Sequence, residues 1–422
     1  MKRIPAYQHI NEKLKFTDRD FRYAASKFGT PVYLYDAEAL KRNFLHLRNH
    51  IPEQITIYYS VKANPNRYIT RFFYNQGTNV EVASYGELMM VKELGVSDER
   101  IILVGPGKSS ELLEEAVESK LFQIVAESKG ELERIYQIAK KKEMLANVSL
   151  RINPDFKSGS SVSMSGNTQF GMDEEEAVDI FKNANQYPYI YLTGIHVYVG
   201  TKQMEPEAFL HNTAEILKLS RRIQKEARQS FSFLDIGGGL GIPYHEREKK
   251  FDFSPIKEEI NQLITDYLES FPSTHIAFES GRFLVGSAGV FLTKVLDRKI
   301  VKGNQYLILD GGINNLQYDN QIGARIPPMA VVEGTGREEE TVTVCGPLCT
   351  PADRIAQGVT LPKCEEGDLI AFYQAGAYGT TIAPGLFLSH GYPMEIMYEN
   401  EAFKMIRKPF QWKEILKLQE VD

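Results

Sequence analysis

Between residues 55 and 280 the chain alternates short apolar runs with longer stretches whose apolar positions recur every three or four residues. The runs are ITIYYS (55–60), NVEVA (79–83), IILVG (101–105), FQIVA (122–126), NVSLRI (147–152), LTGIHVYV (192–199), FSFLDI (231–236) and HIAFES (275–280). The stretches between them, such as 86–95, 109–120, 130–143 and 205–227, read as amphipathic helices. Strands that alternate with helices form a parallel sheet through right-handed crossovers. Eight such units predict closure into a (β/α)8 TIM-like barrel, with an open doubly wound sheet as the alternative. After residue 290 the texture changes. FLTKVL, QYLILD, TVTVC, DLIAFY, PMEIMY and AFKMIR are separated by Gly, Pro and Asn turns and predict a C-terminal mainly-β domain, a sandwich or barrel. The isolated early run PVYLYD (31–36) is expected to join that domain. The expected partition is therefore a barrel over 37–289 and a β domain built from 1–36 and 290–422. Segments 155–168 and 314–328, rich in Ser, Gly, Asn and Pro, are expected as loops at the site entrance.

Composition agrees with this division and narrows the function. The 422 residues exceed one ordinary domain and leave about 170 beyond a barrel of about 250. A hydrophobic content of 43% with 25% charged residues is globular, not disordered or fibrous. The net charge of −6, without long blocks of one sign, argues against a nucleic-acid binder and against a membrane-surface protein. No apolar run reaches the length of a spanning helix, and MKRIPAYQHINEKLKF does not read as a secretory signal. Cys345, Cys349 and Cys364 form neither a disulfide framework nor a zinc-ligand spacing. A cytoplasmic enzyme without a metal centre is the expectation.

In a barrel the chemistry collects at the C-terminal ends of the strands. Lys62 ends the first strand, where a lone lysine would ordinarily be a solvated surface residue. The seventh strand ends in LDIGGGLG, and Gly237, Gly238 and Gly239 allow backbone N–H groups to approach an anion, although tight turns use glycine too. The pattern is not the dinucleotide fingerprint. The eighth strand ends in ESGR, with Glu279 and Arg282 at the same rim; a structural ion pair is the plain alternative. The sixth carries His196 and Tyr198 on one face, where core packing is the plain alternative. Together, a lysine, an anion loop, a carboxylate and an aromatic ring form the set that pyridoxal 5'-phosphate (PLP) requires.

The ordered motifs YSVKANPN, EVASYGEL, VGPGKS, HVYVGT, LDIGGGLG, ESGRF, CGPLCTPAD and AGAY extend this reading. Over roughly residues 30–400 the chain resembles the fold-type III PLP-dependent decarboxylases, which include the diaminopimelate, ornithine and arginine decarboxylases. Through GNTQFGMD, GPLCTP and AGAYG…FLSH it is most similar to secondary-metabolite and siderophore members, such as those acting on a glutamyl-carrier protein in butirosin assembly or on citryl-diaminopropionate in staphyloferrin assembly. The resemblance implies that Lys62 carries the cofactor, that Glu279 faces the pyridine nitrogen, and that Arg151 lies near the ring. It assigns the phosphate to Gly237, Gly238 and Gly239 with Gly281, Arg282, Thr201 and Tyr378. It makes Cys349 a thiol contributed by the second subunit of a homodimer, protonating the product after CO2 leaves.

Two departures matter. Tyr198 stands where the family often has a second His, so the ring that stacks on the pyridine is a phenol. Thr350 follows Cys349, where the family carries an acid that pairs with the distal ammonium of ornithine, lysine or diaminopimelate. A buried ammonium without that partner costs a few kcal/mol. The distal end of the substrate is thus expected to be neutral, anionic or tethered to an acyl-carrier protein. Asp353, one turn further on, and Arg325, which could meet an anionic end, complete the expected substrate contacts. A free-amino-acid decarboxylase, a racemase of the same fold and a non-catalytic PLP carrier are the competing readings. Racemases place an arginine, not a carboxylate, opposite the pyridine nitrogen, and the carriers lack the β domain.

Overall fold

Strands covered on both faces need side chains that tolerate burial throughout, and all eight apolar runs meet that demand. They form Ile55–Ser60, Asn79–Val82, Ile101–Leu103, Gln123–Ala126, Ala146–Arg151, Ile190–His196, Phe233–Gly238 and His275–Ser280. Each pairs in parallel with its neighbours, and His275–Ser280 returns to Ile55–Ser60 to close the barrel. Tyr58, Ile102, Val104, Val125, Phe233 and Ala277 pack together as one buried cluster of these strands and their ends. The structure, a computed structural model, describes residues 2–3, 14–157, 162–244, 248–317 and 327–420. Serines start several of the outer helices: the side chains of Ser84, Ser109 and Ser128 accept hydrogen bonds from the amides of Glu87, Leu112 and Glu131.

The chain divides into two units. The barrel unit is Phe44–Gly241 with Lys250–Gly281; the other is Met1–Asn43, Ile242–Lys249 and Arg282–Asp422. The segments 37–43, 242–249 and 282–289, expected within the barrel, cluster instead with the β unit. Ile242 shows why: a Cβ at Gly286 would come 2.4 Å from its Cδ1.

The β unit is organised on the long strand Gly289–Val301. Its first half pairs antiparallel with Val32–Asp36 and with Leu369–Phe372, and its second half with Asn304–Leu309. Val32–Asp36, the early run, also pairs in parallel with Met394–Glu399, which continues to Ala402–Arg407. Asn304–Leu309 leads through Glu339–Cys345 to Arg354–Pro362. The last of these strands was not legible in the sequence, because only Ala356, Val359 and Leu361 are buried and Gly358 interrupts it with φ +63°. Phe21, Val32, Leu34, Val290, Leu292 and Ile396 lie in its core. Among the described residues no helix is long and apolar enough to cross a membrane.

Candidate active site

Lys62 sits on the single 3₁₀ turn Val61–Ala63, directly after the first barrel strand. The turn is held from both sides. Tyr59 donates through its hydroxyl to the Asn64 carbonyl at 2.8 Å, and Asn64 Oδ1 accepts the Asn66 amide at 3.1 Å. Asn66 Oδ1 in turn caps the next helix through the Tyr68 amide. Gly281 presses on the same turn, since a Cβ there would come 2.6 Å from Ala63 Cβ. Lys62 Nζ lies 2.7 Å from Glu81 Oε1 and 5.7 Å from the centroid of the half-buried Tyr198 ring.

Beside it the barrel holds three buried ionisable side chains. His196, Asp235 and Glu279 offer atoms within 4.8 Å of one another, and His196 Nε2 lies 3.2 Å from Glu279 Oε1. Burial pushes the Glu279 carboxyl up, but His196, Lys62 and Arg151 outweigh it, so Glu279 stays below the ordinary carboxylate range and ionised. Asp235 goes the other way. Burial, and then the negative charge of Glu279, raise it well above that range even though Gly237 donates its amide to Oδ1 at 2.8 Å. Of the two, Glu279 is thus the one held toward the charged form and Asp235 the one held toward its protonated form.

The glycine run has a steric origin visible in the backbone. A Cβ at Gly238 would lie 1.8 Å from the Glu279 carbonyl oxygen, and one at Gly239 would lie 2.0 Å from that of Gly200. Gly237 and Gly239 also have φ of +69° and +92°. The loop therefore passes against the Glu279 strand on one side and Gly200–Thr201 on the other.

Arg151 ends the fifth strand, in register with His196. Its Nη1 meets Glu127 Oε1 at 2.6 Å, and its guanidinium lies 4.6 Å from the Phe170 ring. Glu127 Oε2 accepts the Gly171 amide at 2.9 Å, and Glu131 accepts both the Glu127 amide and the buried Lys108 ammonium. Glu81, Asp235, Glu127, Glu131 and Lys108 were not singled out from the sequence, although all lie in or beside motifs quoted for it. The available signal was an acid or base in an otherwise apolar buried segment, which is costly unless paired.

In the β unit, Arg282 donates to the Tyr244 hydroxyl at 2.8 Å, and its guanidinium lies 4.6 Å from the Tyr378 ring. Glu279 meets His196, and Arg282 meets Tyr244 and Tyr378. Cys349 is exposed. Thr350 is half-buried, and its Oγ1 accepts the Ala352 amide at 3.3 Å. Asp353, expected to face substrate, is buried with both oxygens occupied: the Ile313 amide reaches Oδ1 at 2.9 Å and the Leu348 amide reaches Oδ2 at 2.8 Å. Its role here is to join two loops. Arg325 lies outside the described residues, as do parts of both expected entrance loops.

The barrel's donor set suits PLP. It offers a rim amine, an ionised buried carboxylate braced by a histidine, and buried polar atoms at His196 Nδ1 and Asp235 Oδ2 that meet no hydrogen-bond partner among the described residues. Residues 37–286 match the family described as pyridoxal-dependent decarboxylase, pyridoxal binding domain. The chain is 36% identical over 392 residues to the L-glutamyl-[BtrI acyl-carrier protein] decarboxylase of Niallia circulans, covering 90% of this chain and 92% of that one. It is 31% identical to the 2-[(L-alanin-3-ylcarbamoyl)methyl]-2-hydroxybutanedioate decarboxylase of Staphylococcus aureus, covering 87% and 93%. Its fold matches the crystal structure of Helicobacter pylori diaminopimelate decarboxylase complexed with L-lysine, with a TM-score of 0.85 at 27% identity over 94% and 98% of the two chains.

Proposed function

The chain belongs to the pyridoxal-dependent decarboxylases, and from that premise we propose that it removes the α-carboxylate of an L-amino-acid-type substrate whose distal end bears no free ammonium. The first candidate is a glutamyl group tethered to an acyl-carrier protein; a citryl–diamino acid conjugate is the second. PLP is the cofactor and, when bound, supplies the electron sink for the pair left behind by CO2. The chain's own residues do the rest. Lys62 would hold the cofactor through Nζ, and Glu279 would keep a proton on the pyridine nitrogen. His196 braces Glu279, and Arg151, fixed by Glu127, keeps positive charge beside it. With the cofactor bound, Tyr198 would offer its ring to the pyridine, and the amides of Gly237–Gly239, with Thr201, would hold the phosphate. The roles that the family pattern gives to Gly281, Arg282, Tyr378 and Cys349, and a homodimeric assembly, are proposed on that pattern alone.

One observation carries the choice of substrate. Between Cys349 and Asp353 the chain presents no available carboxylate, because Thr350 replaces the acid and both oxygens of Asp353 are bound by backbone amides. The named activities of the Niallia circulans and Staphylococcus aureus relatives support the same direction. The experiment is a mass-spectrometric screen for loss of CO2 from a glutamyl-carrier thioester, a citryl–diamino acid conjugate and free diaminopimelate, ornithine and arginine. Preferential turnover of a free diamino acid would overturn the proposal. CO2 release from any of them would separate decarboxylation from racemisation.

A further inference from the structure

The barrel contains a second carboxylate in contact with a reacting atom, and the geometry points to an acid–base role for it. We propose that Glu81 is the proton acceptor that turns the Lys62 ammonium into the amine that bonds the cofactor, and the donor that restores it when the lysine is released. The proposal rests on the reading of Lys62 as the cofactor lysine.

Three features support it. Glu81 lies on the second strand, in register with Ser60, and so beside the Lys62 turn. Its Oε1 is 2.7 Å from Nζ, a hydrogen-bonding distance suited to proton transfer. The two ends of the pair differ in environment: the Lys62 side chain is 38% exposed, whereas that of Glu81 is 0% exposed and its Oε2 has no hydrogen-bond partner among the described residues. A surface-type ion pair needs neither full burial nor an idle oxygen.

The groups facing Glu81 come from four elements: Lys62 after the first strand, Glu87 on the helix after its own strand, Asp235 on the seventh and Glu279 on the eighth. Burial, reinforced by Glu279 and opposed by Lys62, holds Glu81 above the ordinary carboxylate range and so closer to an amine in proton affinity.

The step balances without an oxidant or reductant. Of the three protons on the ammonium, one passes to Glu81 Oε1. The nitrogen lone pair then adds to the aldehyde carbon of PLP, and the carbonyl oxygen leaves as water with the other two protons.

The test is the rate at which apo-protein takes up PLP at neutral pH, read by cofactor absorbance and by intact mass after borohydride reduction. The sign separates the proposal from a static ion pair. Removing only a negative charge beside Lys62 favours its neutral form and speeds loading, whereas removing a proton acceptor slows it. We expect Glu81→Gln to load about 100-fold more slowly, at the lower end of general-base effects. Loading at or above the wild-type rate overturns the proposal.

A second variant guards against misfolding of the first, with circular dichroism checking both. Glu81→Ala leaves space for formate, and added formate should accelerate its loading. No acceleration, or a slowing, overturns the proposal. Failure of the wild type to load, or loading of Lys62→Ala, would instead overturn the assignment of Lys62.

Discussion

Two carboxyls at one site are given opposite tasks by their neighbours. Glu279 stays ionised because His196, Lys62 and Arg151 outweigh its burial, while for Asp235 burial and the charge of Glu279 outweigh the Gly237 amide and Lys62. Replacing Glu279 with Gln removes the charge but keeps the shape, so PLP absorbance should persist while turnover falls by roughly 10²–10³, the scale of losing one charged electrostatic group. Near-wild-type turnover would refute the role given to Glu279. Thr350 allows the reverse test. Thr350→Glu should raise kcat/KM for a free diamino acid about tenfold relative to the tethered substrate, the scale of a hydrogen bond to a charged group. An unchanged preference would remove Thr350 from specificity. Glu87 carries a pH signature of its own. Burial pushes it up to about 7, although it accepts the Ala83 amide. The native state therefore keeps a proton that the unfolded chain releases, and stability falls as pH rises from about 4.5 to about 7. Glu87→Gln retains the acceptor and cannot ionise. It should be more stable than wild type by up to about 3 kcal/mol at pH 8 and little different at pH 5, measured by denaturant unfolding.

At the scale of elements, the glycine run is a packing requirement before it is an anion site. Alanine at 238 puts a methyl 1.8 Å from a carbonyl oxygen on the adjacent strand, well inside van der Waals contact. Gly238→Ala should therefore cost about 3 kcal/mol or more in urea titrations, with loss of PLP binding; a cost under about 1 kcal/mol would show that the strands yield. The same contrast explains what could be read in advance. Each barrel strand is covered on both faces, so its sequence is a nearly unbroken apolar run, and all eight were legible. Arg354–Pro362 is covered on one face only and broken at Gly358, so it was not. Lys62, Glu279 and the glycines were legible because each closes a local motif. Glu81, Asp235 and Glu127 were not, because their meaning comes from the facing strand: Glu81 beside Lys62, Asp235 beside His196, Glu127 beneath Arg151.

For the whole molecule, the chain joins the β unit once after the seventh barrel strand, returns, and joins it again for good after the eighth, so neither unit is one continuous stretch of chain. Alternation of apolar runs gave the two architectures but not this interleaving, which depends on contacts such as Ile242 with Gly286 rather than on any local pattern. The closure of the barrel carries one more consequence. The seam joins Ile55–Ser60 to His275–Ser280, strands more than two hundred residues apart in sequence. Loop closure over such a separation should place this pairing among the last to form in folding. Lys62 follows one side of the seam and Glu279 ends the other. A folding chain that has built seven strands without the eighth therefore lacks its cofactor site, and only the closed ring binds. PLP at a hundredfold excess over its Kd should then stabilise the closed ring by about 2.7 kcal/mol over the open one. Hydrogen exchange at the seam amides should slow on loading while the outer helices change little. Refolding in the presence of PLP should therefore give a higher yield of the closed ring than refolding without it.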